Sequence, residues 1–164
     1  MILSVRTARL DDAEAMAELL NEIIAIGGTT AYEEPFDRSA MIDRYVEAPN
    51  LISCLVAENE GSIAGFQGLF RPIPEDPMPP NWAFIATFAR LGRTGSGVGR
   101  ALFAETLVAA RAANVSAIDA TIRADNSAGL GFYARMGFRD YDRLLSVPLR
   151  NGTPVDRIRK RFNL

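Results

Sequence analysis

Two rhythms of apolar residues alternate along this chain. Residues 2–7 alternate well enough to predict a first strand. Asp11 and Glu14 make a capping-box-like start, and Met16, Leu19, Leu20, Ile23 and Ile24 share one face, so a helix is predicted over about 12–26. Gly27-Gly28 ends it. Met41, Ile42, Tyr45 and Val46 repeat at helical spacing and predict a second helix over 37–46, closed by Pro49-Asn50. Stretches 51–57 and 63–70 read as antiparallel strands joined through 58–62. Residues 71–81 hold five of the nine prolines and form a stiff excursion rather than a linker. A strand over 82–90 feeds a glycine turn, and Leu102, Phe103, Leu107 and Ala110 then mark a helix over 98–113. The next strand is 115–123, and Asp125-Asn126 cap a helix that runs through Arg135 to Gly137. Strands over 138–149 and from 153 to about 161 meet at Asn151-Gly152, a strong hairpin signal. The predicted order is β-α-α-β-β-β-α-β-α-β-β, an α/β (α+β) fold with a mixed sheet, and residues 1–164 read as one domain.

The glycine turn, Gly92 to Phe103, is the stretch that most constrains chemistry. Glycines at a strand-to-helix turn let successive N–H groups converge on an anion, and the unpaired amides of the helix start add partial positive charge. A phosphate-bearing ligand is therefore expected, against the plainer alternative of a ligand-free glycine loop. A P-loop requires a lysine after its last glycine, but the only lysine is Lys160. A dinucleotide fingerprint requires G-x-G-x-x-G, whereas Gly95, Gly97 and Gly99 are spaced by two; only Asp119, placed like a ribose-binding acid, favours it. Thr94-Gly95-Ser96-Gly97-Val98-Gly99 has instead the spacing of the coenzyme A pyrophosphate turn, Q/R-x-x-G-x-G/A.

Composition narrows the chemistry further. The chain has 48% hydrophobic and 23% charged residues and no apolar run near the ~20 residues of a membrane span. Its start lacks the layout of a signal peptide, and the lone Cys54 lies in an apolar run, so a reducing cytoplasm is expected with no membrane partner. The net charge of −2 argues against general nucleic-acid binding; the basic run Arg157, Arg159, Lys160, Arg161 reads as a solvated edge strand. No histidine is present, which removes imidazole bases and histidine-ligated metals; no metal is expected.

A second motif lies about 30 residues beyond the first. Asn126-Ser127-Ala128-Gly129-Leu130-Gly131-Phe132-Tyr133-Ala134-Arg135-Met136-Gly137-Phe138, taken with the glycine turn and the element order, resembles the GNAT superfamily of N-acetyltransferases over nearly the whole chain. Two departures stand out: Gly129 replaces the usual Ser or Ala, and Thr94 stands where Arg or Gln is usual, which shifts side-chain phosphate binding toward Arg93 or Arg100. A finer resemblance, in Thr30-Ala31-Tyr32-Glu33-Glu34-Pro35, is to phosphinothricin-acetyltransferase-like members.

The resemblance implies an acetyl-CoA-dependent N-acetyltransferase acting on a small amine, amino-acid-like in its narrower form, by direct attack in a ternary complex. Acetyl-CoA would meet Ala86, Thr87, Phe88 and Ala89 of a splayed fourth strand, then Arg93, Thr94, Gly95, Ser96, Gly97, Val98, Gly99 and Arg100, and finally Asn126 and Tyr133. Tyr133 is the candidate general acid, since a phenol of pKa about 10 is protonated at neutral pH. A tyrosine flanked by Phe132 and Met136 is otherwise an ordinary core residue. Glu33 and Glu34 are candidate bases, with Asp119, Asp125 or water as alternatives; Tyr32 and Arg71 are candidate acceptor-binding residues, Arg71 as a carboxylate clamp. A homodimer is expected from the same resemblance and from Leu144, Leu145, Val147 and Leu149. The competing functions are a non-catalytic coenzyme-A-binding module and a nucleotide oxidoreductase.

Overall fold

A computed structural model describes residues 2–92 and 96–164. One mixed sheet of seven strands organises them: β1 (Leu3–Thr7), β2 (Leu51–Asn59), β3 (Ser62–Phe70), β4 (Trp82–Ala89), β5 (Ala117–Arg123), β6 (Arg139–Pro148) and β7 (Pro154–Asn163), in the spatial order β1-β2-β3-β4-β5-β7-β6. Every pairing is antiparallel except β4 with β5. That parallel step is the one that needs a crossover, and α3 (Val98–Ala112) supplies it. The other helices are α1 (Ala13–Ile26), the short α2 (Arg38–Met41), which runs on into a π-helical turn (Ile42–Val46), and α4 (Ser127–Arg135).

Alternation along the strands divides the core between the two faces. On one face Met16, Leu19, Leu20 and Ile23 of α1 join Met41 and Tyr45 over Val56, Phe66 and Phe70. On the other, Phe103 and Ala110 of α3 and Tyr133 of α4 pack over Ile85, Ile118, Ala120 and Ile122. The start of α1 differs from the expected Asp11–Glu14 box. Asp12 accepts from the Arg9 N–H (2.7 Å) and is gripped by Arg6, which also reaches Glu58, so β1, β2 and α1 are tied at one point. The α4 cap is as expected, with Asn126 Oδ1 accepting from Gly129 N–H at 3.0 Å.

The basic run departs from the edge-strand expectation. β7 is an interior strand between β5 and β6, and Arg157, Arg159 and Lys160 are buried on it. Each of the latter two is answered by an acid: Asp119 faces Arg159 and Asp140 faces Lys160. β6 takes the edge instead, leaving Leu145 72% exposed.

Candidate active site

The parallel pair that holds the two halves of the sheet together is short. β4 and β5 are in register only through Trp82↔Ala117, Ala83↔Ile118 and Phe84↔Asp119. Beyond them β4 keeps its pairing with β3 as far as Ala89, and β5 keeps its pairing with β7 as far as Arg123, so the sheet opens along the shared edge. The opening is a cleft of about 680 Å³ lined from both halves, from the α3 start, from α4 and from the segment after α1. Arg90 N–H donates to Ala64 of β3, so by period-two alternation the N–H groups of Ala89 and Thr87 face the opening. Such unclaimed amides can stabilise charge that develops on a carbonyl oxygen.

At one end of the cleft lies the glycine turn. Arg93, Thr94 and Gly95 fall outside the described residues. Gly97 caps α3 with φ 84° and ψ 1°, a left-handed geometry that a side chain resists. Ala101 N–H is the first to bond back into the helix, to Gly97, which leaves the N–H groups of Val98, Gly99 and Arg100 without helical partners. Gly99 serves close approach: a Cβ there would lie 2.5 Å from the Phe132 ring of α4. Ser96 Oγ is enclosed and has no partner among the described residues. That hydroxyl, beside three amides with no helical partner, is a donor set that fits the pyrophosphate of coenzyme A.

Inside the cleft Tyr133 ends a chain of buried polar groups. Thr106 of α3 donates to Gln67 Oε1 (2.5 Å), and Gln67 Nε2 donates to Thr87 Oγ1 (2.8 Å). Thr87 Oγ1 lies 2.9 Å from Tyr133 Oη. Either hydroxyl can donate across this contact; since the Thr87 oxygen accepts from Gln67, its hydrogen can go to Tyr133 Oη, and in that arrangement the phenolic proton is free to point into the cleft. Burial pushes the Tyr133 phenol up to about 12, against the opposing pull of Thr87, so it stays protonated at neutral pH. Gln67 and Thr106 escaped the sequence reading. The available signal was one amide within the otherwise apolar strand 63–70.

The acceptor candidates are distributed differently from expectation. Tyr32 does line the cleft, with its hydroxyl 2.8 Å from that of Tyr45. Glu33 and Glu34 turn outward: Glu33 accepts from the Arg150 N–H (2.6 Å), Glu34 pairs with the Arg150 guanidinium, and both line a separate shallow hollow. Arg71 is also away from the cleft, because its guanidinium is taken by the Ala113 carbonyl just past α3. Asp119 is 2% exposed and held by Thr121, Tyr141 and Arg159, which leaves it available neither as a base nor as a ribose ligand. Asp125 is engaged by Arg123, whose guanidinium holds its carboxyl below the usual range.

The segment after α1 is fastened over the cleft by the same corner. Arg123 Nη1 donates to Thr30 O (3.1 Å) and Asn126 Nδ2 to Thr29 O (3.0 Å). Arg123 and Arg157, paired across β5 and β7, both line the cleft there. Neither was expected in the site. Cys54 is 2% exposed on the α1 face, and burial pushes its thiol up to about 12.

Comparison with known proteins agrees with this geometry. No protein of curated function matches the chain by sequence. Among solved structures, the ribosomal-protein-alanine N-acetyltransferase of Brucella melitensis superposes with a TM-score of 0.85 at 22% identity, covering 98% of this chain and 99% of that one. A protein of Salmonella typhimurium, named as a candidate acetyltransferase and solved with its cofactor acetyl-CoA, gives 0.84 at 19% identity over 99% and 94%. A structure named as a candidate phosphinothricin N-acetyltransferase gives 0.83 at 23% identity over 99% of both chains. These likenesses share the fold and differ in the acceptor their names imply. The sequence model of the acetyltransferase (GNAT) family matches residues 14–138, which takes in the glycine turn and the Asn126–Phe138 segment, and with the split sheet around them this chain belongs to that family of acyltransferases.

Proposed function

We propose that the protein transfers the acetyl group of acetyl-CoA directly to the amine of a small molecule held in the same cleft. The observation that supports this most is Tyr133, buried and protonated at the end of a polar chain, beside amides of β4 that β5 has released. When bound, acetyl-CoA supplies the activated acetyl thioester. Ser96, Gly97, Val98, Gly99 and Arg100 would hold its phosphates, and Asn126 would face its pantetheine arm. The amides of Thr87 and Ala89 are turned to polarise the thioester carbonyl. As the amine nitrogen bonds to the acetyl carbon the C–S bond breaks; Tyr133 gives its proton to the departing thiolate, and the proton lost by the amine passes to water, which restores the phenol.

Direct transfer is favoured over an acyl-enzyme because the single cysteine, Cys54, lies in the core with its thiol held protonated. Water carries the amine proton in this reading, since Glu33, Glu34, Asp119 and Asp125 all have other partners. An alkyl amine of pKa near 10 is neutral in roughly one molecule in a thousand at pH 7, so kcat/KM should rise about tenfold per pH unit up to the amine's pKa. A reducing cytoplasm, where a lone buried thiol persists, is the compartment we infer.

Thiol release across a panel of amines tests the reaction. Acetyl-CoA binding without turnover on any amine would leave a coenzyme-A-binding module. In the same assay Gln67→Leu is expected to lower kcat roughly tenfold with little change in KM, because Thr87 loses the donor that fixes its orientation. It should also cost about 1–3 kcal/mol of stability by stranding the Thr106 hydroxyl. An unchanged kcat per folded molecule would remove Gln67 from the chemistry.

We also propose a homodimer, supported by Leu144 and Leu145 on the edge strand β6, 37% and 72% exposed. Light scattering is expected to give about twice the chain mass of 17.9 kDa. A mass of one chain at all concentrations would exclude it.

A further inference from the structure

Arg157 carries a positive charge into the interior without a hydrogen-bonded acid among the described residues. The residue is 8% exposed on an interior strand, and its Nη1 is enclosed with no hydrogen-bond partner among the described residues. Its cationic neighbours are each satisfied: Arg123 by Asp125 and the Thr30 carbonyl, Arg159 by Asp119, Lys160 by Asp140. The acids that reach Arg157 electrostatically, Asp125 and Glu33, are committed to Arg123 and to the Arg150 N–H. Burial and the Arg123 charge draw its pKa down, yet a guanidinium stays protonated in proteins. A buried unpaired charge is costly for stability, which makes this residue a functional candidate.

Its position says what the charge is for. Arg157 alternates with Arg159 and Arg161, which meet Asp119, Trp82 and Tyr141, whereas Phe162 packs with Phe103 and Phe138 on the opposite face. The guanidinium therefore enters the cleft from the side roofed by Thr29, Thr30 and Tyr32, while Tyr133 and Thr87 enter it from the α3 and α4 side. A group bound at Arg157 lies across the opening from the proposed acid.

We propose that Arg157 anchors the acceptor's carboxylate, and that the acceptor is a small amino acid whose amine is thereby turned toward Thr87 and Tyr133. This rests on the acetyltransferase reading above. An enclosed Nη1 without a hydrogen-bond partner among the described residues suits a carboxylate oxygen, and a planar guanidinium presents paired donors to it. The roof fastened by Arg123 and Asn126 favours a small molecule over a polypeptide end. Arg157 thus takes the role that the sequence reading gave to Arg71.

The test compares standard L-amino acids with their own carboxamides, by thiol-release kinetics and by calorimetric titration into the protein loaded with coenzyme A. The acids are expected to bind at least about tenfold more tightly than the matching amides, with the difference carried in KM. Arg157→Gln should abolish that preference and Arg157→Lys should restore part of it. Without ligands, Arg157→Met is expected to melt a few degrees above the parent, because a buried charge has gone; an arginine with a purely structural role would lower the melting temperature. Amides that bind as well as acids, tighter binding of peptide amines, a preference that survives in Arg157→Gln, or a lower melting point in Arg157→Met would each overturn the proposal. Stabilisation by acetyl-CoA with no preference for acids would sink the carboxylate anchor alone. Absence of stabilisation by acetyl-CoA would remove the underlying reading, and the anchor with it.

Discussion

Tyr133→Phe is expected to lower kcat by roughly 10²–10⁴ while leaving acetyl-CoA affinity almost unchanged, because a general acid acts in the transition state and not on binding. The substitution conserves the ring that packs at about 5.0 Å from Phe132 and Phe138, so the core is preserved. What is lost is the bond to Thr87, worth about 1–1.5 kcal/mol, and Thr87 still accepts from Gln67. A residue that served only packing would show that modest destabilisation and full turnover per folded molecule. The pH profile adds an independent check. Burial raises the Tyr133 pKa to about 12, so its proton is present throughout the neutral and mildly alkaline range and is lost only as pH rises through that value. The parent enzyme should therefore rise in activity with pH as the amine deprotonates, with no descending limb from this group below about pH 11. Measurement with the best amine of the panel, at saturation, prevents a slow attack from hiding the proton step. An unchanged kcat under those conditions would return Tyr133 to the core and assign the thiolate's proton to water.

Acetyl-CoA at about 100 times its Kd is expected to stabilise the fold by about 2.7 kcal/mol, while NADH gives no shift. For a chain of this size that corresponds to a rise in Tm of roughly 5–10 °C. Gly99→Leu should remove the shift. The physical reason differs from crowding of a pyrophosphate: the new Cβ would fall 2.5 Å from the Phe132 ring and force the start of α3 away from α4, spoiling the turn that presents its free amides. Gly97→Val should weaken binding by another route, since nothing lies within 4 Å of its Cβ but φ 84° is strained for a branched side chain. Equal shifts with both ligands, or none with acetyl-CoA, would overturn the coenzyme A assignment. A full shift in Gly99→Leu would show that the α3–α4 contact does not set the turn.

Most of the element order was legible because it rests on local signals. The α1 face, the Asp125-Asn126 cap, the proline-rich excursion and the Asn151-Gly152 hairpin are each written within a few residues, and the structure has all of them within a residue or two of their predicted bounds. The second helix was less legible. Asp37 caps it through the Ala40 N–H, a signal the apolar spacing does not carry, and its latter half is a π-helical turn that such spacing cannot separate from an α-helix. The glycine spacing, with the Asn126 and Tyr133 offsets, identified the family for a similar reason: backbone geometry at a turn restricts which residues are allowed.

Side-chain partnership was decided by tertiary structure. Whether an acid is a base or a strut depends on which strand lies beside it, and the sequence does not state that β7 inserts between β5 and β6. That insertion buries Asp119 against Arg159 and Tyr141, turns a basic run from a solvated edge into an interior strand, and leaves Arg157 Nη1 in the cleft without a hydrogen-bond partner among the described residues. Glu33 and Glu34 are drawn off by Arg150, 117 positions from Glu33 in the chain, and Arg71 by the Ala113 carbonyl, 42 away. Local periodicity therefore determined the elements and the cofactor turn of this protein. Charge pairing over such separations is set by strand order and by the early parting of β4 from β5, and only the folded chain supplies either.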